Sequence, residues 1–527
     1  MYKISYEILF EKSAPMRGEV EITSGEWRFA PVLPRDTIVS ARAEIPVKTT
    51  GDERIFINGY QTWTFCPEYT HEDKIPGVGH YPRALINHYG MDRYGDYHFV
   101  NYPEKRGVLH GESWCYFRNG DNYRLITSLD ERAGYTLFTY NAEQNTLSVE
   151  RDCAGIECDG EYKVFELFFA EGGEDAVFDA WFDAMNIHNG AAPRLVGYSS
   201  WYNRYQNITE AAVESDLAGC AGLLGAGDLF QIDDGWEPYV GDWLETDEKK
   251  FPRSLAPITE KIHAQGYLAG LWLAPFVCQN GSKIMREHPD WLLRHKGKEW
   301  YCGCNWGGFY ALDIDNPEFV DYLERVFDRV FNEWHIDLVK LDFLYAAAPF
   351  GDSRETRAGR MTRAMELLRK LCGDKLILGC GVPTMPAFGL VDYCRVSCDV
   401  GLDWNNNFLV RRANRETVST RRAILNSVFR RQLNGRAYLS DPDVFFLREE
   451  NIKLTEEEKY KLATVNSLFG GVLLTSDDMG KYTPAMREKF AQLLKNREAK
   501  NVRVMNDAQG LRISYELDGV QEILTIE

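Results

Sequence analysis

Eight short apolar runs, each ending in polar or charged residues, recur between residues 195 and 478, with helical patterns separating most of them. They read LVGYSSW, DLFQIDD, LAGLWLAPF, DLVKLDF, KLILGCG, DYCRVSCD, AYLSD and GVLLTSDD. Strands joined through helices run parallel. Eight such units are the number that closes a (β/α)8 TIM barrel. From Trp201 to Asp477 the spacing averages about 39 residues per unit, against about 31 in a barrel of ~250 residues, so this barrel carries insertions. The widest gap, from Trp272 to Asp342, holds HPDWLL and GCNWGG and predicts a long loop over the barrel mouth. The short step from Cys380 to Asp399 predicts a fifth helix that is short or irregular.

Local signals agree with this frame. Asn316 followed by Pro317 is an N-cap and first-turn pair. Behind it Phe319, Leu323, Val326, Phe327, Val330, Phe331 and Trp334 recur at three- and four-residue steps, one buried helical face. A second helix carries Leu255, Ile258 and Ile262 and stops at Gly266. A third opens with the capping box Thr455-x-x-Glu458. Residues 1–187 differ: runs such as KISYEILF and RIFINGYQTWTF alternate between Gly, Asp, Asn and Pro clusters, the pattern of a β-sandwich. HNGAAPR (188–194) reads as a linker. NVRVMN, LRISYEL and EILTIE close the chain as strands. The expected organisation is α/β multidomain: an N-terminal β-sandwich (1–187), a catalytic barrel (188–485) and a small C-terminal β-domain (486–527).

Composition narrows the partners. The formal net charge of −19 argues against nucleic acid or an anionic membrane surface. No run of ~18 apolar residues occurs, and MYKISYEILF lacks a basic region before an apolar one, so a cytoplasmic protein is expected. Twelve cysteines in that setting predict free thiols, and none stands in a CxxC frame with histidines; neither metal nor cofactor is expected. GLLGAG (222–227) leads into a strand, unlike a dinucleotide fingerprint. REENIKLTEEEKYK reads as a solvated face.

Barrel sites lie where strands end. The ends here offer Trp201, Asp233, Asp234, Trp272, Lys340, Asp342, Cys380, Arg395, Asp399, Asp441 and Asp477. Carboxylates dominate this ring and histidine is absent, which disfavours acyl transfer and suits glycoside hydrolysis by two carboxyl groups. Lys340 and Asp342 are two apart on one strand and share a face, so the ammonium is expected to support an ionised Asp342.

The motifs GYSSWY, FQIDDGW, GLWLAPF, EHPDW, YALDIDNPE, VKLDFLYA, LGCGVPTMPA, DYCRVSCD and LSDPD, in this order and over nearly the whole chain, resemble glycoside hydrolase family 36, especially its compact bacterial α-galactosidases. The resemblance implies a retaining enzyme that removes terminal α-galactose from small oligosaccharides. It implies Asp342 as nucleophile, Asp399 as acid/base, and Asp233 and Asp234 on galactose hydroxyls. It further implies Lys340, Arg395 and Cys380 near the sugar, Trp201 and Trp272 as walls, and Trp63 reaching in from the N-terminal domain. Arg395 is expected to aim at sugar hydroxyls more than at Asp399, and the two catalytic carboxyls to stand roughly 5–7 Å apart. Where larger relatives carry CxxGGGR after strand five, this chain has LGCGVPTMP, which bears on the sugar's second carbon. An α-N-acetylgalactosaminidase and a galactosyl transferase of the raffinose-synthase kind are the alternatives. The chain is shorter than the tetrameric relatives, so no oligomeric state is carried over.

Overall fold

The computed structural model describes residues 1–188, 192–405 and 414–526. The expected linker lies in part outside the described residues.

Among the described residues the N-terminal part forms two antiparallel sheets. One contains Tyr2–Phe10, Val32–Pro46 and Thr146–Arg151; the other contains Arg54–Ile57, Trp114–Asn119, Asn122–Ser128 and Phe165–Gly173. Alternate residues point inward, as along any half-buried strand. Ile4, Ile8, Leu147 and Val149 from the first sheet thus meet Phe117, Ile126, Leu167 and Phe169 from the second in one sandwich core.

The barrel strands follow in chain order: Leu195–Ser199, Leu229–Ile232, Leu268–Leu273, Leu338–Leu341, Leu376–Gly379, Tyr393–Arg395, a seventh in two pieces, and Val472–Thr475. The seventh is broken at Pro442 and Asp443. Its first piece, Leu439–Asp441, pairs with the sixth strand, and its second, Val444–Phe445, pairs with the eighth. That split closes the ring, since the first strand pairs with the eighth. A proline cannot donate to a ladder, so the break falls where the chain changes neighbour.

Outside the ring, the helix Pro317–Asp328 starts at Asn316, whose Oδ1 accepts from the Glu318 and Phe319 amides. It buries Phe319, Tyr322, Leu323, Val326 and Phe327. Each such side chain contributes roughly 1.5–3 kcal/mol on removal from water. The helix Glu456–Phe469 begins with the full Thr455–Glu458 capping box. Between the fifth and sixth strands the described residues hold only a 3-10 turn, Met385–Ala387. Helix Pro484–Asn496 follows the eighth strand, so the expected boundary at residue 486 falls inside a helix; the C-terminal sheet starts at Lys500.

The outer face of the second sheet packs into the barrel's core, separate from the sandwich core. Helix Glu174–Met185 puts Trp181 and Phe182 against Phe388 of the barrel, at 5.9 and 5.4 Å between ring centres. Among the described residues no helix is long and apolar enough to cross a membrane, and all twelve cysteines are free thiols.

Candidate active site

A cavity of about 860 Å³ opens at the carboxyl ends of the barrel strands. Its lining includes Trp63, Trp201, Asp233, Asp234, Trp272, Lys340, Asp342, Arg395 and Asp399. Cys380 does not line it. That thiol is buried behind the wall and accepts from Trp63 Nε1 at 3.3 Å.

Asp342 directly follows the fourth strand. Register pairs Trp272 of the third strand with Lys340 of the fourth, which brings the indole beside the next inward residue. Trp272 Nε1 donates to Asp342 Oδ2 at 3.1 Å, and the Phe343 amide donates to Oδ1 at 2.8 Å. Two donors on two oxygens suit a carboxylate, which only accepts. Phe343 itself has φ of 54°, an unusual conformation for a bulky residue. Its ring is locked between Trp63 and Trp306, with centres 5.1 and 5.0 Å away, so packing holds the turn that aims Asp342.

Lys340 bonds elsewhere than expected. Its Nζ crosses the barrel interior to Asp233 Oδ2 at 2.9 Å, and both groups are buried. A lysine stem is long enough to pass its nearest carboxylate, and a buried ammonium is held best where a buried carboxylate is already fixed. Gln231 Nε2 donates to the same Asp233 oxygen at 2.7 Å. Burial opposes the lysine's charge, but Asp233, and then Asp342, hold its pKa above the usual value.

Arg395 also departs from expectation. Its guanidinium meets Asp399 Oδ1 at 2.8 Å, Asp441 Oδ2 at 3.0 Å and Asp443 Oδ1 at 3.0 Å. Only 4% of the side chain is exposed, so the buried cation is matched by carboxylates rather than left for hydroxyls. Asp399 is different from the other two acids: 43% of its side chain is open to the cavity. The surrounding walls still desolvate it. That burial, with the charges of Asp443 and Asp342, outweighs Arg395 and Lys340 and pushes its pKa up to about 6.

Trp63 arrives on the turn Gly59–Thr64 of the N-terminal part. The Thr62 amide donates to Val382 O at 3.0 Å. Buried Arg430 clamps the same turn: Nη1 donates to Thr62 O at 2.6 Å and Val396 O at 3.0 Å, and Nε to Asn58 Oδ1 at 3.0 Å. Gly381 admits the indole, for a Cβ there would stand 2.8 Å from Trp63 Cζ2 at a φ of +57°.

Four more residues belong to the site and were not singled out from the sequence. Trp306 Nε1 and Gln206 Nε2 donate to Asp234 Oδ2 at 2.9 and 3.0 Å. Asp443, the second acid of LSDPD, accepts from Tyr202 OH at 2.7 Å and the Val400 amide at 2.9 Å. Glu416 lines the mouth and accepts from Thr64 and Tyr97 hydroxyls, each at 2.7 Å. Only Trp306 and Asp443 had a signal, in GCNWGG and LSDPD.

The family model for melibiase matches residues 187–367. The matched segment holds the first four barrel strands. Over 188 residues the chain is 30% identical to an Escherichia coli alpha-galactosidase, covering 34% of this chain and 26% of that protein. It is 28% identical over 158 residues to alpha-galactosidase Mel36A of Lactobacillus acidophilus, or 20% of that protein. The aligned segments thus span about a quarter or less of these curated relatives. Among solved structures, alpha-galactosidase TtGalA of Thermus thermophilus, in complex with p-nitrophenyl alpha-D-galactopyranoside, superposes at a TM-score of 0.76 with 26% identity over 98% of both chains. The GH36 alpha-galactosidase AgaA of Geobacillus stearothermophilus shares the fold at a TM-score of 0.61 and 13% identity, covering 97% of this chain and 79% of that one. The segment that matches the melibiase model therefore sits in a chain that shares its overall fold with these two solved structures.

Proposed function

We propose that this chain is a retaining α-galactosidase that hydrolyses terminal non-reducing α-D-galactosyl residues of small oligosaccharides. The observation that carries the reading is one cavity holding two aspartates in unlike settings. Asp342 is fixed by two N–H donors, while Asp399 is half-open with a pKa pushed up to about 6. Such a split in environment is how two carboxyl groups take two roles. Support comes from TtGalA, whose structures hold p-nitrophenyl α-galactoside and stachyose.

In the first step Asp342 attacks the anomeric carbon as Asp399 gives its proton to the glycosidic oxygen. The bond to the leaving group breaks and a galactosyl–Asp342 ester forms. In the second step Asp399 takes a proton from water, the water oxygen attacks the same carbon, and Asp342 leaves. Two inversions give net retention. Asp233 and Asp234 accept from sugar hydroxyls. Lys340 has three N–H donors, so two remain after Asp233 for the sugar. Trp63, Trp201 and Trp272 pack on its C–H faces, and Cys380 backs Trp63.

A panel of nitrophenyl α- and β-glycosides, with the product anomer read by NMR, tests this. Cleavage of the α-galactoside with α-galactose formed first is expected. First formation of the β-anomer, or carboxyl groups near 9 Å apart in a sugar complex, contradicts retention. Faster cleavage of the N-acetylgalactosaminide, or longer sugars in place of free galactose, moves the reading to the alternatives named from the motifs.

A further inference from the structure

Asp234 has one oxygen satisfied and one not. Its Oδ2 accepts from both Trp306 and Gln206, whereas its Oδ1 is buried with no N–H or O–H donor. The group that meets this carboxylate is another acid, Glu237, three residues on in the turn DDGWE. Glu237 is 5% exposed, and one of its oxygens accepts from the Gly235 amide at 3.2 Å. Two buried carboxyl groups in contact cannot both be charged, so the pair holds a proton. Asp234 already accepts two N–H bonds at one oxygen and is the better anion of the two.

We infer that Glu237 carries that proton, donates it as a hydrogen bond to Asp234 Oδ1, and so acts as a positioning residue for the sugar-binding carboxylate. The inference rests on reading Asp234 as an acceptor of sugar hydroxyls. Burial, and next the charge of Asp234, hold the Glu237 pKa well above the usual carboxylate range. The neighbouring cations are occupied. Lys340 is bonded to Asp233, and Lys250 gives its protons to the carbonyls of Gln206 and Gly235 at 2.9 and 2.8 Å, with Asp247 at 3.9 Å. With Glu237 neutral, Asp234 is pinned by donors on both oxygens. When Glu237 loses its proton at alkaline pH, two negative charges meet and the Asp234 carboxylate is pushed out of place.

The test compares the full chain with Glu237→Ala and Glu237→Gln by KM and kcat across pH on nitrophenyl α-galactoside, and by infrared spectroscopy of the free proteins. Glu237→Ala leaves a buried oxygen without a donor, and KM is expected to rise about tenfold or more, with a smaller change in kcat. The amide of Glu237→Gln donates at every pH, so it recovers most of that loss. The wild-type KM rises on the alkaline side, and the Gln variant lacks this rise. In the infrared, a neutral-carboxyl C=O band present at neutral pH in the wild type vanishes in Glu237→Gln. A Gln variant as impaired as Ala, an alkaline rise that persists in it, or no lost band would each overturn the inference. If the wild type neither binds nor cleaves galactosides, the proposed function fails, while the infrared band still decides where the proton lies. Should the Ala variant not fold, the Gln profile and the band carry the same decision.

Discussion

The two halves of the barrel mouth hold the same residue type in opposite settings. On the second-to-fourth-strand side, Asp233 and Lys340 are locked together, and Asp342 sits directly on a strand end, held from both sides by Trp272 and its own turn. On the sixth-to-seventh-strand side, Asp399 stands on a loop, half-open, at the end of an arginine that also serves Asp441 and Asp443. The first side has little freedom to move. The second has three acids around one cation, and burial, with the charges of Asp443 and Asp342, pushes the pKa of the half-open Asp399 up to about 6. Chemical role follows from the surroundings and not from the residue name.

The comparison breaks most visibly at the rigid side. Asp342→Ala should lose activity by about 10⁴-fold or more on every substrate, because nothing else can form the ester. A single-turnover assay with an activated aryl galactoside checks this. On the open side, Asp399→Ala should cost about 10²–10⁴-fold with poor leaving groups and far less with activated phenolates, which need little protonation. The contrast between two aglycones measures it.

The fold was legible in the sequence because strands, caps and apolar stripes are local. Asn316, Thr455 and the spacing of Phe319 to Phe327 each state their structure within a few residues. The ring of strand ends was legible for the same reason. The pairings within it were not. Spacing put Lys340 on the face of Asp342 but could not show its stem reaching Asp233, 107 residues away in the chain. Likewise Arg395 meets Asp441 through the register of the sixth and seventh strands, and Asp443 lies just past the break at Pro442. Gln206 and Glu237 lie in turns of ordinary composition, and their importance comes from the one carboxylate they share.

Two further changes sharpen the contrast through the wall that both halves share. Arg430→Ala should strip donors from the carbonyls of Gln61 and Thr62 in the Trp63 turn and of Val396, and destabilise the protein by roughly 3 kcal/mol or more, read by denaturant unfolding. Gly381→Ala should cost about 1–3 kcal/mol and raise KM, since it combines a left-handed backbone with a Cβ against Trp63.

The smallest effect concerns pH. In the proposed mechanism Asp399 must be protonated to act first, so with its raised pKa kcat/KM should fall as pH rises through about 6. Asp443 is one of the charges that raise it, so Asp443→Asn should move this limb to lower pH. Leaving Arg395 with one fewer acid works in the same direction. A full pH profile of the variant beside the wild type reads the shift.

The division of labour between the two aspartates is tested most directly by azide rescue with the product configuration read by NMR. Asp399→Ala should regain activity on an activated galactoside in azide and release α-galactosyl azide, because Asp342 still forms the ester that azide then opens. Asp342→Ala should give only the β-azide, if any. An α-azide from Asp342→Ala and a β-azide from Asp399→Ala would contradict the account, for they would exchange the nucleophile and the acid.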